Sequence, residues 1–458
     1  MLTAIAILIF IAWFASAWVK PGTAFSYLPF ALPFYLLRLN IGPLPTTALE
    51  MAALGMIAGW VVHEAWGGKL VAGSFRSRLP DAWPAIRPWM LPCGLWLLAG
   101  AISVFIAPDH LAALGLFRAY FVEPVAIFFV GLGLMSKEEG AGTAPLRGTI
   151  VRNIAIVTIF FGIWAIFQRL TGIGLPEDYA PLAIRRSVGP FPYPNALALF
   201  VTPVAVLAFV QCVAAIGRVK RDGNWRLEIG KKEQSLISNL QSPLLACATV
   251  AAGLTSILLA KSDGGLIAFL AGAFVILIMN KRTRIAAFAV AAICAIAIAA
   301  IPAVRTPVMN QLLFKEWSGK VRVIMWKETY TMLEDRPIFG AGLSAYPTAI
   351  KPYHKATWME IFQYPHNILL NLWSETGSIG VVAFGWILWG WAYGLRLTAY
   401  GQKDPVAVSL QPFAVALPVI TALLVHGLVD VPYFKNDLAI LFFLLILVTS
   451  TNTETMKQ

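Results

Sequence analysis

From end to end the chain repeats apolar runs about as long as a bilayer's hydrocarbon core is thick. Crossing roughly 30 Å of hydrocarbon takes about 20 apolar helical residues, and every backbone N–H and C=O must be bonded within the segment. The runs are too long and too continuous for barrel strands, whose faces alternate. They predict an all-α polytopic integral membrane protein of about 12 transmembrane helices. The spans fall near 2–19, 44–66, 87–106, 112–134, 150–169, 195–217, 243–260, 263–279, 284–303, 367–394, 411–428 and 436–450. Segment 21–40, with Pro21, Pro29 and Pro33 around Arg38, is either a thirteenth span or a re-entrant piece. The first run lacks a basic leader, although Ala15-Ser16-Ala17 looks like a small-residue cleavage site, so a retained first span is expected.

Charge supports the same class. Only 13% of residues are charged, which excludes an ordinary soluble enzyme. The net charge of +12 does not imply a nucleic-acid partner, because most basic residues sort to one membrane side. Lys69, Arg76 and Arg78, then Lys137 and Arg147, then the cluster from Arg218 to Lys232, then Lys281, Arg282 and Arg284, then Arg396 and Lys403 mark the cytoplasmic loops. On the opposite face basic residues gather in two places, Arg185-Arg186 and the long loop 304–366, and there they suggest an anionic ligand. Cys93, Cys212, Cys247 and Cys294 lie in apolar runs without CxxC spacing and read as packing residues. No internal repeat is visible, so residues 1–458 read as one membrane domain whose outer loop carries part of a site.

That loop holds the residues fit for chemistry. Val321, Ile324, Met325 and Met332 recur at helical spacing, which predicts an amphipathic helix over 319–334 with Arg322 and Trp326 on neighbouring sides. Arg336-Pro337 ends it, and Gly340 and Gly342 are expected to form a turn whose N–H groups approach an anion. His366, at the mouth of the next span, is the general-base candidate, and the forked guanidinium groups of Arg185 and Arg186 suit phosphate oxygens. Within the spans, Arg118 and Glu123 read as either a structural ion pair or an acceptor site, and Glu375 as structural. Trp89 and Trp358 are expected to anchor the membrane interface.

Three blocks carry a resemblance: RRSVGPFPYPNALALF (185–200), KVRVIMWKETYTMLEDRPIFGAGLSAY (320–346) and PHNILLNLWSETGSIG (365–380). In this order they resemble the O-antigen ligase and O-antigen polymerase superfamily of bacterial membrane glycosyltransferases. HGLVDVPY (426–433) matches a weaker terminal His and Asp-x-Pro feature, whereas KSDGG (261–265) departs from the Ser-Arg-Gly-like turn of many relatives. The resemblance implies a GT-C-like fold in the bacterial inner membrane with its site facing the periplasm. The donor it implies is a glycan on undecaprenyl diphosphate; the acceptor is a hydroxyl of a lipid A-core sugar, of a growing glycan, or of a protein Ser or Thr. By position, Arg186, Arg185 and Arg322 would bind the diphosphate and His366 would activate the acceptor, with Trp326, Asn195 and Asn367 in support.

Neither outer loop contains an Asp-x-Asp pair to hold Mg²⁺ or Mn²⁺ against phosphates, so transfer without metal or cofactor is expected. One base and an in-line displacement further suggest inversion at the anomeric carbon. The alternative from another class is a lipid-linked glycan flippase or other carrier, which has similar spans but places its site near the midplane.

Overall fold

The computed structural model describes residues 2–41, 44–67, 79–138, 146–219, 243–280, 283–393 and 411–449. The basic clusters at 69–78, 220–232, 281–282 and 396–403 lie outside the described residues. The described chain is helical apart from one short antiparallel hairpin, β1 (Arg38–Ile41) with β2 (Leu44–Thr47). Six helices are long and apolar enough to cross a membrane, and four shorter apolar helices accompany them. The protein is therefore an all-α polytopic membrane protein.

Helix α1 (Leu2–Val19) and α3 (Ala48–Val62) run parallel. Gly55 lies against Phe10 and Gly59 against Ala17, and the His63 ring bonds the Trp18 carbonyl at 2.7 Å where both helices end. The chain must return between them. It does so through α2 (Pro21–Ala31) and a 3-10 turn, Leu32–Leu36. Those elements rise roughly 26 Å together, close to the thickness of the core. The Pro-rich segment thus doubles back across the bundle.

Next come α4 (Leu79–Ile106), α5 (His110–Phe117) and α6 (Glu123–Glu138), the last two joined by a π turn over Arg118–Val122. Arg118 in that turn pairs with Glu50 at 2.7 Å and with Glu123 at 3.4 Å. Glu50 also accepts from Thr46, the Thr47 N–H and Asn436, so the ionisable groups here tie four elements together structurally. Helices α7 (Leu146–Thr171), α8 (Pro194–Val219), α9 (Pro243–Leu259), α10 (Asp263–Met279) and α11 (Arg284–Ala300) follow. The chain then bends by 100° into α12 (Pro302–Leu312) and α13 (Trp317–Glu334). It ends with α14 (Ile368–Ala392), α15 (Gln411–Gly427) and α16 (Asn436–Thr449).

Helix α16 is buried along its whole length and forms the axis of the core, where Phe442 meets Phe384, Trp391 and Tyr433. Trp89 is not an interfacial anchor: it is buried and stacks edge-on against Phe128, because α4 is enclosed there by α6. Trp358 is half exposed beside Trp317. The cysteines are free thiols, and Cys212 and Cys247 bring their sulfurs within 3.3 Å across α8 and α9.

Candidate active site

At one end of the bundle, four separated segments converge. The first is the loop 172–193, held by the buried Gln168 amide. Its Oε1 accepts from the Val188 and Gly189 N–H groups, and its Nε2 donates to the Gly189 carbonyl. Gly189 has φ +59, which a side chain would strain. This clamp fixes Arg186. Its Nε donates to the Ala260 carbonyl at 2.8 Å, and its Nη2 to Asn195 Oδ1 and the Lys261 carbonyl, each at 3.3 Å.

Arg185 turns the other way. Its Nε and Nη1 donate to the carbonyls of Ala180 and Arg169 at 2.9 and 3.1 Å. The structure separates the two neighbours: Arg186 lines the cavity described below and Arg185 braces its own loop.

The second segment is the turn 260–262, with Lys261 at φ +49 and the Ser262 hydroxyl capping α10 through the Gly265 N–H. The third is α13, which matches the expected amphipathic helix and buries Met325, Thr329, Met332 and Leu333. From it Arg322 Nε donates to the Val429 carbonyl at 3.0 Å, and the Trp326 indole donates to the Pro365 carbonyl at 2.9 Å. Trp326 therefore holds the backbone immediately before His366.

The fourth segment pairs the start of α14 with the loop after α15. Asn367 caps α14 through the Leu369 and Leu370 N–H groups and donates to the Leu428 carbonyl at 3.0 Å. His366 itself sits at φ +46, a conformation few non-glycine residues adopt. Its Nδ1 faces Asp430 Oδ1 at 3.3 Å, and Asp430 is almost fully enclosed. Tyr364 packs on the His366 ring at 4.5 Å and Phe362 meets it edge-on.

Between these segments lies a cavity of about 500 Å³. Arg186, Lys261 and Arg322 bring three cations to its wall, beside Asn195, Asp263, Glu316 and His426. Leu428 and Val429 also line it, which puts the His366–Asp430 pair at its edge. Burial pulls both guanidinium groups below their ordinary value; Asp263 opposes this for both, and Asp430 opposes it further for Arg322. Asp430 is held far below the usual carboxylate range: burial alone would raise it, but His366, His426 and Lys435 outweigh that.

A guanidinium carries five N–H donors. The Nη1 group of Arg186 and both terminal nitrogens of Arg322 meet no acceptor among the described residues. Unspent, partly dehydrated donors on two sides of one cavity fit an anion with several oxygens, such as a phosphate or diphosphate.

Gly340 and Gly342 do not form the expected anion turn. The Gly340 N–H donates to the Arg336 carbonyl, that of Ala341 to the Ser374 carbonyl, that of Leu343 to the Ser103 carbonyl, and that of Ser344 to Glu375 Oε2 at 2.7 Å. Both glycines instead allow close approach: Gly340 to the Trp373 and Ser374 carbonyls, Gly342 to Ala107.

Residues 248–385, from α9 into α14, match the family model described as O-Antigen ligase. This match supports membership of the O-antigen ligase superfamily. No curated protein matches the chain. The matched region contains Lys261, Arg322, Trp326, His366 and Asn367, while Arg186 and Asn195 lie outside it and reach the cavity through the fold, and Asp430, also outside it, reaches His366. The matched domain supports an O-antigen ligase or polymerase type of function, glycosyltransferase-like in kind.

Sequence reasoning missed Lys261 and the weight of Asp430. The turn of Lys261 departs from the family pattern, yet Lys261 lines the cavity and its carbonyl accepts from Arg186. The Asp-x-Pro signal at 430–432 pointed to Asp430 without saying what it would meet.

Proposed function

We propose that this protein transfers a glycan from undecaprenyl diphosphate to an acceptor hydroxyl, that of a lipid A-core sugar in the ligase form of the reaction. The observation that carries this reading is the convergence of Arg186, Lys261 and Arg322 on one cavity whose edge holds His366, oriented by Asp430. In the donor complex, Arg186 and Arg322 direct their unspent N–H groups at the diphosphate. His366, with Nδ1–H donated to Asp430, presents Nε2 as a base.

The acceptor hydroxyl gives its proton to Nε2 as its oxygen bonds to the anomeric carbon. The bond from that carbon to the diphosphate oxygen breaks, and its electron pair leaves with the diphosphate. Negative charge grows on the leaving group, and fixed cations in a partly dehydrated wall stabilise it better than water does. The cations take the part a divalent ion plays elsewhere, so transfer proceeds without metal. Attack opposite the leaving group inverts the anomeric carbon.

A membrane orientation is supported by the direction of α3 in the sequence. It starts at the site end, where Glu50 bonds Asn436, and runs toward Lys69, Arg76 and Arg78, which the positive-inside bias assigns to the cytoplasm. The site then faces the periplasm of the inner membrane and 304–366 forms part of its outer wall. With α2 returning between α1 and α3, the proposed topology takes segment 21–40 as a further pass, so that the chain starts outside and ends inside. A polymerase that uses a growing glycan as acceptor has the same chemistry; the moderate, helical outer segment favours the ligase form.

The test is purified protein in proteoliposomes with a polyprenyl-diphosphate-linked glycan and lipid A-core acceptor. Transfer that His366→Ala abolishes supports the reading. Transfer that persists in that variant overturns it.

A further inference from the structure

Near the His366–Asp430 pair, a second polar group of residues is buried and incompletely satisfied. The Lys435 ammonium is enclosed and has no hydrogen-bond partner; it stands 4.1 Å from the centre of the Tyr193 ring. It lies within electrostatic reach of both Asp430 and Asp437, yet forms an ion pair with neither. Asp437 Oδ1 and Asp430 Oδ2 are likewise enclosed and lack donors. The Tyr193 hydroxyl meets that of Tyr364 at 3.3 Å, and the Tyr364 ring packs on His366 at 4.5 Å.

A buried ammonium and a buried carboxylate that stop short of each other are costly, since each left water without gaining a hydrogen bond at these atoms, and the Tyr193 face offsets only part of the cost for Lys435. Their needs are complementary. A hydroxyl placed between them accepts from the ammonium and donates to the carboxylate at once. Sugars supply such hydroxyls on a ring whose apolar face suits aromatic side chains, and Tyr193 and Tyr364 provide those rings beside the proposed base.

We propose that Lys435 and Asp437, with Tyr193 and Tyr364, form a subsite that holds a sugar of the acceptor, the ammonium and the carboxylate sharing one of its hydroxyls. This rests on the transferase reading above and adds where the acceptor sits: against Tyr364 and Tyr193, beside the His366–Asp430 pair.

The experiment is a pair of titrations in the proteoliposome assay, varying lipid A-core acceptor at fixed polyprenyl-diphosphate donor, and the reverse. It compares wild type, Lys435→Met and the near-isosteric Asp437→Asn. Acceptor KM is expected to rise at least about tenfold in both variants while donor KM stays within about twofold. The Lys435→Met protein should melt no lower than wild type, because methionine leaves no unpaired charge.

If ordinary water fills the gap, acceptor KM will be unchanged, and that result overturns the subsite while leaving the transferase intact. Equal rises in donor and acceptor KM, or a lower melting temperature with unchanged KM, overturn it as well. Absence of transfer by the wild-type protein removes the functional reading itself and the subsite with it.

Discussion

The Nδ1 atom of His366 stands 3.3 Å from Oδ1 of Asp430, a residue 64 positions further along the chain. The carboxylate is enclosed, accepts the Val431 N–H at 2.9 Å and so cannot swing away from the ring. This fixes which imidazole nitrogen carries the proton, and it leaves the other as the base.

Asp430→Asn keeps the side chain's shape while removing the charge that steadies a protonated ring. Its rate of transfer should fall by about 10²–10⁴, the range seen when a histidine loses such an orienting carboxylate. Single-turnover rates with saturating donor check this, and a fall of less than about threefold contradicts the assignment.

The two neighbouring arginines should behave differently. Arg186→Ala removes a donor group that lines the cavity, and transfer should fall at least about a hundredfold. Arg185→Ala loses bonds to the Ala180 and Arg169 carbonyls and should lower stability by about 1–2 kcal/mol with little effect on turnover. Comparing kcat/KM with the melting temperature for the pair decides between them.

Acidity should tighten the outer segment that leads to His366. His354 Nδ1 faces Glu328 Oε2 at 3.0 Å and its Nε2 faces the Met359 carbonyl at 2.9 Å, so both ring nitrogens need a proton to donate. The bond to Glu328 accordingly raises the His354 pKa above its ordinary value. A histidine raised on folding contributes stability that is complete below about pH 6.5 and lost as pH rises through the folded value. Amide exchange over 351–366 should be slower at pH 6 than at pH 8.5 after correction for intrinsic rates, and His354→Asn should abolish that difference.

Gly377 breaks α14 with φ +67, and an added Cβ would strike the Ile338 carbonyl and the Phe339 backbone. Gly377→Ala should destabilise by about 2–4 kcal/mol, combining left-handed strain with the clash. A melting temperature in detergent within about 1 °C of wild type is the contrary result.

The apolar runs made the fold class legible, and helical spacing made α13 legible with Arg322 and Trp326 on it. The mouth of α14 was legible too, because a Pro-His-Asn run at the start of an apolar helix supplies a cap and a polar residue together. Long-range pairing was not. Nothing local shows that Arg322 reaches the Val429 carbonyl 107 residues away, or that Lys435 lies over Tyr193. Gly340 and Gly342 were misread because a glycine kept for close approach looks, in sequence, like one kept for an anion turn. The direction of α1 escaped reading for a related cause: it is set by contact with α3, and the local composition of α1 is apolar throughout.

The most direct test of the central claim is a gel of surface and carrier-linked glycans from a strain lacking this protein, complemented with wild type or His366→Ala. The account predicts that only wild type restores long glycan on lipid A-core, while His366→Ala leaves polymer stranded on its periplasmic carrier beside bare core. Restoration by His366→Ala, or a failure of donor to reach the periplasm, would contradict a histidine-dependent transferase; the second outcome would point to a carrier.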